Sequence, residues 1–543
     1  MYPVYQYCSA GLCGILSHLL FFIRGEIFYS VPFIARVYFG SYVLLVSLEY
    51  GTFDMQLYHA LTTASLIAAA YTSSLFASII VYRCFFHRLK QFPGPPLAKL
   101  SKFYLVWHTA RNLQQCLYLE ELHKKYEDFI RTGPEEVTVF TPDGIEPLYG
   151  IRTRCSKSSW WNMPWPEVSM ISTRSKQDHA MGRKAWEKGF GIKALRDYRP
   201  RMLRLIDRFV QHLKTRAGKS IDATETFECY TTDFMAETVF SLDFGMVRTG
   251  KYNECMKQHR TSLALLGIFT PVPWLFVLLA SFPGLKSDWH KLQAACSEML
   301  ETRMSSEDAN PYTRSKGVQV LAHIISFENK ANNPHTLVAD FFSMLAAANE
   351  PVFGTLVYIF YYLSKYPSYT SRLRDELEQT KDISDDDNLK TLRQLAGIIN
   401  ETLRLHLPVP SGGLRVTPPG GLMIGKSHIP AGVTIVIPQH SLGRREDCYR
   451  DAHLFVPERW YSRPNMILNR HAFVPFGHGN HVCLGQHLAK TEIRLAVARI
   501  VMAFDFCLAP GEVGDRLERD MTDCFVAKPG SLNMVFTERN LRE

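Results

Sequence analysis

One cysteine of this sequence stands where it could bind a metal. Residues 473–489 read FVPFGHGNHVCLGQHLA, so Cys483 follows a glycine-rich turn and opens a predicted helix. A helix N-terminus lowers the pKa of a thiol and favours the thiolate, which is the form that ligates metals. The alternative is a buried structural cysteine, because free cysteine is among the most buried residue types.

The neighbours of Cys483 suit a flat apolar ligand. Gly477 permits a tight turn that aims backbone N–H groups at the sulfur. Phe476 offers a flat apolar lid, and Gly485 lets the following helix approach the ligand closely. We therefore expect these four residues to form one cofactor-binding loop.

The spacing of this loop resembles the haem-binding loop of the cytochrome P-450 family, F-x-x-G-x-[RH]-x-C-x-G. The resemblance covers nearly all of residues 92–543. It implies that haem b is the cofactor and that Cys483 is the axial ligand of its iron. Thiolate ligation pushes electron density towards bound oxygen and favours O–O cleavage.

The resemblance implies an ion triad behind the haem. Glu401 and Arg404 lie three residues apart in ETLR, on one face of a predicted helix. Arg459, in PERW, follows Arg404 by 55 residues and precedes the cysteine by 24. An isolated pair of this kind is usually an ordinary surface pair. The order and spacing of the motifs favour the buried triad, whose loss would prevent haem incorporation.

The haem propionates need cations, and the resemblance implies four residues for them. His179 and Arg183 lie at i and i+4 on one helix face, where the family often has Trp and Arg. Arg415 follows the ETLR arginine by 11 residues. His481 replaces the usual arginine two residues before the cysteine, and a histidine need not be charged at neutral pH. A solvated surface role is the alternative for each.

The helix implied to activate oxygen departs from the family pattern. Residues 347–352 read AANEPV, where the family usually has [AG]-G-x-[DE]-T-[TS]. Glu350 retains the acid, but Pro351 replaces the threonine whose hydroxyl helps deliver protons. Proline removes a backbone N–H, so we expect a kink and a free carbonyl at Ala347. Asn349 or Glu350 would then hold the water that delivers protons, or a substrate hydroxyl would supply the proton instead. The alternative is that Pro351 only bends the helix over a large pocket.

Apolar residues from several parts of the chain are candidates for the substrate site. Residues 263–285 are strongly apolar, and the resemblance implies that they roof the pocket and dip into the membrane. Aromatic stripes are more often core than ligand contacts, which is the alternative. The other candidates are Trp160, Trp161, Trp165, Phe342, Leu345, Ala346, Val409 to Leu414 and Val526.

Residues 1–88 are predicted to be a membrane anchor of one to three transmembrane helices. Residues 55–82 carry no charge and are long enough to span a bilayer. Residues 1–23 and 27–48 are weaker candidates, since Arg36 would sit near the middle of the bilayer; surface helices are the alternative. The basic residues at 83–90 place the cytoplasm after the third segment.

A stiff hinge, FPGPP at 92–96, marks the start of the catalytic domain, which we assign to residues 89–543. This domain is predicted to be mainly α with minor β (α+β), the cytochrome P-450 fold. A hairpin is expected at 129–140 and short strands at 421–438. Helical periodicity covers residues 181–213, 224–240, 285–303, 336–364, 392–405 and 484–504.

Composition excludes several other classes of protein. The 543 residues are 46% hydrophobic and 21% charged, so bulk disorder is excluded. None of the 12 cysteines forms a C-x-x-C pair, which argues against a zinc ribbon. The net charge of +9 is modest for this length, so we expect no nucleic-acid partner. It suits an acidic protein partner or an anionic membrane surface.

The resemblance implies a membrane-anchored haem-thiolate monooxygenase. It would use O2 and two electrons from an NADPH-cytochrome P-450 reductase, with cytochrome b5 as an optional second donor. Residues 87–95, 131–137 and 155–161 resemble tryprostatin B 6-hydroxylase-like enzymes of fungal secondary metabolism. We therefore expect hydroxylation or another oxidation of an apolar natural product, in the endoplasmic reticulum membrane with the catalytic domain facing the cytoplasm.

Two alternatives remain open at this point. Pro351 suits oxidative rearrangement, ring closure or dehydration, in which the usual proton relay is dispensable. A haem-binding sensor or carrier is the non-enzymatic alternative, but the retained Glu350 and the substrate-roofing segment have no evident use there.

Overall fold

Three apolar helices precede the proline-rich segment in the computed structural model, which describes residues 2–23, 27–51, 56–163, 168–282, 287–305 and 334–539. By length and composition each of the three is able to cross a membrane. These apolar N-terminal helices indicate a membrane anchor. They are α1 (Tyr2–Ser17), α2 (Val31–Gly51) and α3 (Leu57–Val81).

Polar contacts define the directions of the anchor helices. His18 Nδ1, just after α1, lies 2.8 Å from Ser78 Oγ near the end of α3, so these helices run the same way. Gln6, near the start of α1, donates from Nε2 to Glu49 Oε1 near the end of α2, at 3.4 Å. Helix α2 therefore runs the opposite way. The loop between α1 and α2 lies at the end of the anchor where the catalytic domain begins.

The catalytic domain is mainly helical. Its longest helix, α15, begins at Pro334, ends at Lys365, and could span a membrane by length and composition alone, but most of it is buried in protein. The other helices are α4 (Pro96–Leu100), α5 (Phe103–Thr109), α6 (Gln115–Tyr126), α7 (Ile145–Tyr149), α8 (Lys176–Phe190), α9 (Ile192–Lys214), α10 (Ala223–Met235), α11 (Met246–Thr249), α12 (Glu254–Phe269), α13 (Pro273–Leu279), α14 (Ser287–Ser305), α16 (Pro367–Glu378), α17 (Asp386–Leu389), α18 (Arg393–Leu405), α19 (Gln439–Leu442), α20 (Gln486–Ala503) and α21 (Arg516–Arg519).

Four small sheets lie around these helices. The largest has five strands in the order β1-β2-β8-β5-β3, and the others have the orders β4-β12-β9, β10-β11 and β6-β7. The strands are β1 (Phe129–Gly133), β2 (Glu136–Val139), β3 (Ser156–Lys157), β4 (Ser220–Asp222), β5 (Arg415–Val416), β6 (Leu422–Ile424), β7 (Ser427–Ile429), β8 (Thr434–Val436), β9 (Phe504–Leu508), β10 (Thr522–Cys524), β11 (Val526–Lys528) and β12 (Asn533–Glu538).

The core is built around α15, which contacts α10, α14, α18 and α20. Phe353, Leu356 and Phe360 of α15 are fully buried. Burying one such side chain stabilises the fold by about 1.5–3 kcal/mol. This packing fixes the central helix between the helix that follows the cysteine loop and the helix that carries ETLR.

The predicted fold class is confirmed. The hairpin pairs Phe129 with Val139, and the strands expected at 421–438 are β6, β7 and β8. The helix predicted over 181–213 is wrong as one element, because the chain extends at Gly191 and starts a second helix there. The outermost residues of four predicted segments lie outside the described residues: residue 1 of 1–23, residue 55 of 55–82, and residues 283–286, where 263–285 meets 285–303.

Candidate functional site

Cys483 lies in the loop before α20. Its backbone N–H donates to the carbonyl oxygen of Phe476 at 2.8 Å, which closes the turn. The N–H groups of Gly485 and Gln486, together with Arg183, lower the pKa of the thiol, but burial is the largest influence and raises it overall. The helix start therefore lowers the pKa of the thiol, as predicted, although the raising influence is larger. Coordination to a metal cation deprotonates a thiol, so such an ion would supply what the loop alone does not.

Two glycines shape this loop for different reasons. Gly477 has a φ of +75°, a left-handed conformation that favours glycine. A Cβ on Gly479 would lie 2.1 Å from the carbonyl oxygen of Tyr149, so α7 and the loop can only pack this closely with glycine there. Gly485 caps α20, and a Cβ added there would make only ordinary contacts, 3.8 Å from the Cys483 sulfur. Its expected role towards a ligand stays a prediction.

A cavity of about 410 Å³ lies between α8 and the cysteine loop. None of the described residues that line it is acidic. An enclosed excess of positive charge is a site for anionic groups. Its basic residues are Lys157, Arg174, Lys176, His179, Arg183, Arg415 and His481.

The two histidines of this cavity contact each other. His481 Nδ1 and His179 Nε2 lie 3.1 Å apart. Burial lowers both pKa values, to about 4 for His179, and the neighbouring cations lower them further. Both imidazoles are therefore neutral at pH 7 and offer hydrogen bonds rather than charge.

Three basic side chains of the cavity are held by contacts with aromatic rings or backbone carbonyls. Arg415 is 5% exposed and stacks on Tyr149, with its guanidinium carbon 5.1 Å from the ring centre. Arg183 donates from Nη1 to the carbonyl oxygen of Val482 at 2.9 Å. Lys157, which the sequence analysis did not single out, donates from Nζ to the carbonyl oxygen of Thr173 at 3.0 Å.

The state of Lys157 depends on its surroundings. Burial, with Arg415 beside it, lowers its pKa to about 7. A bound carboxylate would favour the charged form of this lysine. In the sequence, the position of Lys157 before two tryptophans, in KSSWW, was the only indication that it belongs to the site.

Glu401, Arg404 and Arg459 are all buried and in contact. Glu401 Oε1 accepts from Arg404 Nη2 and from Arg459 Nε, each at 2.8 Å. Its second oxygen, Oε2, accepts from Arg404 Nε and from Trp460 Nε1, each at 2.9 Å. The arginines also donate to backbone carbonyls, among them Leu454 at 3.0 Å. The cluster therefore ties α18 to the loop that leads to the cysteine.

The central helix α15 continues through Pro351 as one element. Thr355 donates from its hydroxyl to the carbonyl oxygen of Pro351 at 2.7 Å, so that hydroxyl is engaged one turn beyond the position of the missing threonine. Asn349 is buried and accepts at Oδ1 from Thr231 Oγ1 of α10, at 2.5 Å. Asn349 thus joins two helices, and its role towards a water stays a prediction.

Glu350 faces a second cavity, of about 700 Å³. In that cavity Arg260 of α12 donates from Nη2 to Glu228 at 2.5 Å, and Lys528 donates to Glu228 Oε2 at 2.9 Å. Burial is the main cause that raises the pKa of Glu350 to about 8, and the Glu228 carboxylate adds to it. Glu350 is therefore protonated at pH 7. The sequence analysis missed the three partners, which are far apart in the chain.

Several predicted lining residues gather in one apolar cluster. Trp160 lies 5.0 Å from Trp161 and 4.8 Å from Phe525, measured between ring centres. Leu414 belongs to the same cluster. The predicted Phe342 instead packs edge-on against Trp289 of α14, at 5.0 Å. Leu345 and Val526 are buried, and Trp165 lies outside the described residues.

These residues fit a haem. Two backbone N–H groups point at the Cys483 thiol. The adjoining cavity offers cations that could bind the two carboxylates of a haem. Arg183 belongs to that cavity and also contacts the cysteine loop, so the two parts form one site. A thiol beside a cationic cavity in a helical protein suits the class of haem-thiolate proteins.

Comparison with known proteins supports the same class of protein. The model of the cytochrome P-450 family matches residues 93–535. The chain belongs to this family and is a cytochrome P-450 monooxygenase, which confirms the prediction from the cysteine loop.

Relatives align over nearly the whole chain. Cytochrome P-450 monooxygenase lcsK of Purpureocillium lilacinum is 33% identical over 545 residues, with 98% of each chain covered. Cytochrome P-450 monooxygenase phqL of Penicillium fellutanum is 32% identical over 542 residues, with 98% of this chain and 95% of the relative covered. Tryprostatin B 6-hydroxylase of Aspergillus fumigatus is 32% identical over 542 residues, covering 98% and 96%. The predicted resemblance to tryprostatin B 6-hydroxylase-like enzymes is thus confirmed.

Proposed function

We propose that the protein is a membrane-anchored monooxygenase that oxidises an apolar natural product of fungal secondary metabolism. The observation that carries this proposal is the contact between Arg183 and Val482, which joins the cysteine loop to the cationic cavity. Cys483 would ligate the iron of haem b through its thiolate in this proposal. Bound haem supplies the activation of O2, and the thiolate donates electron density to it.

The chain holds the haem through its charged and aromatic side chains. Arg415, Arg183 and Lys157 bind the propionates as cations, and His179 and His481 add hydrogen bonds. The triad of Glu401, Arg404 and Arg459 holds the loop behind the haem in position.

Glu350 delivers the protons in this proposal. Its raised pKa keeps a proton on the carboxyl at pH 7, and its cavity also holds Glu228, Arg260 and Lys528. The proton leaves from the Glu350 carboxyl towards the substrate site and is replaced from water in that cavity. This relay needs no hydroxyl at Pro351.

The electron donor is an NADPH-dependent reductase, and cytochrome b5 is an optional second donor. The net charge of +9 supports docking to an acidic face. The basic residues after α3 favour a catalytic domain on the cytoplasmic side of the endoplasmic reticulum membrane. The boundary between anchor and catalytic domain lies at residues 88–89 in this proposal.

The class of substrate is supported by two observations. The aromatic cluster around Trp160 and Phe525 packs apolar side chains next to Leu414, one of the predicted lining residues. Tryprostatin B 6-hydroxylase, a relative that aligns over nearly the whole chain, is named for hydroxylation of a natural product. A second reaction class, oxidative rearrangement or ring closure, is favoured by Pro351, because the usual hydroxyl is missing from α15.

The carbon monoxide spectrum of the reduced protein tests the proposal. Thiolate ligation gives a Soret band at about 450 nm. A band at about 420 nm in the wild type would contradict thiolate ligation. Cys483→Ala should abolish the 450 nm band. Cys507→Ala, which removes an exposed cysteine of β9, should leave the band intact.

Isotope labelling separates the two reaction classes. Extracts of the producing organism supply candidate substrates, and product mass is measured after turnover in ¹⁸O₂. One ¹⁸O atom in the product supports oxygen insertion. A product without label contradicts hydroxylation and favours rearrangement or ring closure.

A further inference from the structure

Lys490 of α20 is a half-buried lysine without an acidic partner. Its Nζ lies 4.7 Å from the centre of the Phe476 ring, so the ammonium packs on an aromatic side chain of the cysteine loop. Among the residues that the structure describes, no carboxylate forms an ion pair with Lys490. Asp386 contacts the next turn of the helix instead, where it accepts from Arg494 at 2.7 Å. A cation that is partly removed from water without an anion is costly, so this lysine needs another partner.

The sulfur of Cys483 is the partner that the geometry offers. Lys490 follows Cys483 by seven residues, in the second turn of the helix that the cysteine loop opens. Phe476 connects the two residues, because its ring carries the ammonium and its carbonyl oxygen accepts from the Cys483 N–H at 2.8 Å. Burial and Arg494 lower the pKa of Lys490, whereas Cys483 raises it. A thiolate at Cys483 would therefore supply the missing negative charge.

The charge of Lys490 differs from that of the other cation beside the cysteine. Arg183 also lowers the pKa of the Cys483 thiol, but it pairs with Glu187 at 3.0 Å. The ammonium of Lys490 has no such pair, so its charge acts on the sulfur without compensation. Net charge around a metal–sulfur centre is one of the influences that set its reduction potential. A nearby cation favours the reduced state, because reduction adds negative charge.

We propose that Lys490 acts through the Cys483 thiolate to raise the reduction potential of the bound haem and so speeds the first electron transfer from the reductase. In that transfer one electron leaves the reduced flavin of the reductase, which is oxidised, and ferric haem is reduced to ferrous haem. No covalent bond forms or breaks, and no proton is transferred. The inference rests on the proposed function, because it assumes a haem bound to the thiolate.

A redox titration of the full-length holoenzyme in phosphatidylcholine nanodiscs tests this role. Dithionite and mediator dyes set the potential, and absorbance gives the ratio of ferrous to ferric haem. At the midpoint potential of the wild type, Lys490→Met should lower this ratio about threefold or more, since the apolar stem is kept and the charge is lost. Lys490→Arg keeps the charge, so its ratio should stay close to the wild-type value.

Two further variants separate the local charge from other effects. Lys188→Met removes a positive charge from an exposed position of α8 and should leave the ratio unchanged, because water and salt screen that charge. Lys490→Gln removes the charge of Lys490 with a polar side chain and should lower the ratio even if Lys490→Met fails to bind haem. With reductase at saturating concentration, either neutral variant should also slow the formation of the ferrous carbon monoxide complex.

Three results would overturn the inference. The first is an equal ratio in the wild type, Lys490→Met and Lys490→Gln. The second is an equal loss in Lys490→Arg, which would show that the charge is not the cause. The third is a raised apparent KM for reductase with an unchanged ratio, which would make Lys490 a docking residue only. A wild type without a band at about 450 nm would instead overturn the proposed function.

Discussion

Arg183 Nη1 donates a hydrogen bond of 2.9 Å to the carbonyl oxygen of Val482, the residue before Cys483. The same side chain lines the cationic cavity and pairs through Nε with Glu187 at 3.0 Å. Its charge is among the influences that lower the pKa of the Cys483 thiol against the effect of burial. One arginine therefore serves the ligand loop and the cavity together.

Replacing Arg183 should disturb both the cysteine loop and the cationic cavity. For Arg183→Gln we expect at least half of the reduced, carbon monoxide-bound protein to shift from about 450 nm to about 420 nm, since loop position and thiolate stabilisation are lost together. Absorbance at both wavelengths measures the ratio. Lys176→Gln removes a charge from the same cavity without touching the loop, so its ratio should stay at the wild-type value. A similar loss in both variants would refute the special role of Arg183.

Glu401 accepts from both arginines of the triad, so its replacement should be costly. Breaking a buried ion pair costs about 3–5 kcal/mol, and Glu401→Gln should therefore yield little protein with bound haem. Haem per chain and thermal unfolding measure this. Glu458→Gln breaks a pair with the exposed Arg372, which should cost about 1 kcal/mol or less. Normal haem content in Glu401→Gln would contradict a structural triad.

Glu350 should impose a pH dependence on oxygen use. Its pKa is raised to about 8, so the carboxyl holds a proton below that pH and loses it as the pH rises through it. Hydrogen peroxide released per NADPH consumed, with a reductase present, should be constant near neutral pH and rise above about pH 8. Glu350→Gln should release more peroxide at every pH. A flat profile in the wild type would exclude Glu350 as the donor.

Glu228 should set the pH at which peroxide release rises. Its negative charge raises the pKa of Glu350, whereas Arg260 and Lys528 lower it. Glu228→Gln removes the carboxylate and leaves both cations, so the rise in peroxide release should move to lower pH. Glu225→Gln is the matched control, because Glu225 lines the same cavity but does not influence Glu350. Equal midpoints in both variants would argue against the cluster.

Exposed lysines of α8 should contribute to reductase docking. Lys184 and Lys188 lie on the helix that Arg183 ties to the cysteine loop. Reversing both charges to Glu should raise the apparent KM for reductase about threefold or more at low salt, and the effect should fade at high salt. Lys381→Glu with Lys426→Glu makes the same change of charge on other exposed segments. If both pairs of substitutions raise the apparent KM for reductase equally, net charge alone explains the increase.

The sequence predicted those parts of the site that form short motifs. The cysteine loop, ETLR and PERW are each contiguous motifs, and the family resemblance implied the contact between ETLR and PERW. Glu228, Arg260 and Lys528 stand on three separate elements, so only packing brings them to Glu350. Their residue types and spacing carry no pattern that periodicity could reveal.

Local sequence patterns did not show two further features of the structure. The helix start was expected to lower the pKa of Cys483, and the N–H groups of Gly485 and Gln486 do so, although the raising influence is larger. Met181 to Leu213 keeps helical periodicity, yet Gly191 interrupts the helix, because periodicity does not register a single extended residue. The contact between Phe28 and α13 was not predicted, because the two lie far apart in the chain.

Trp161 has one further consequence, for redesign of this enzyme. Its indole contacts Phe525 on the apolar side, lies near Lys157 and Arg415 on the charged side, and donates to the carbonyl oxygen of Leu414 at 3.1 Å. A mutation there would alter substrate choice and cofactor retention at once. Directed-evolution libraries aimed at new substrates should therefore keep this tryptophan constant and vary Phe525 and Met163, whose replacement leaves the cationic cavity untouched.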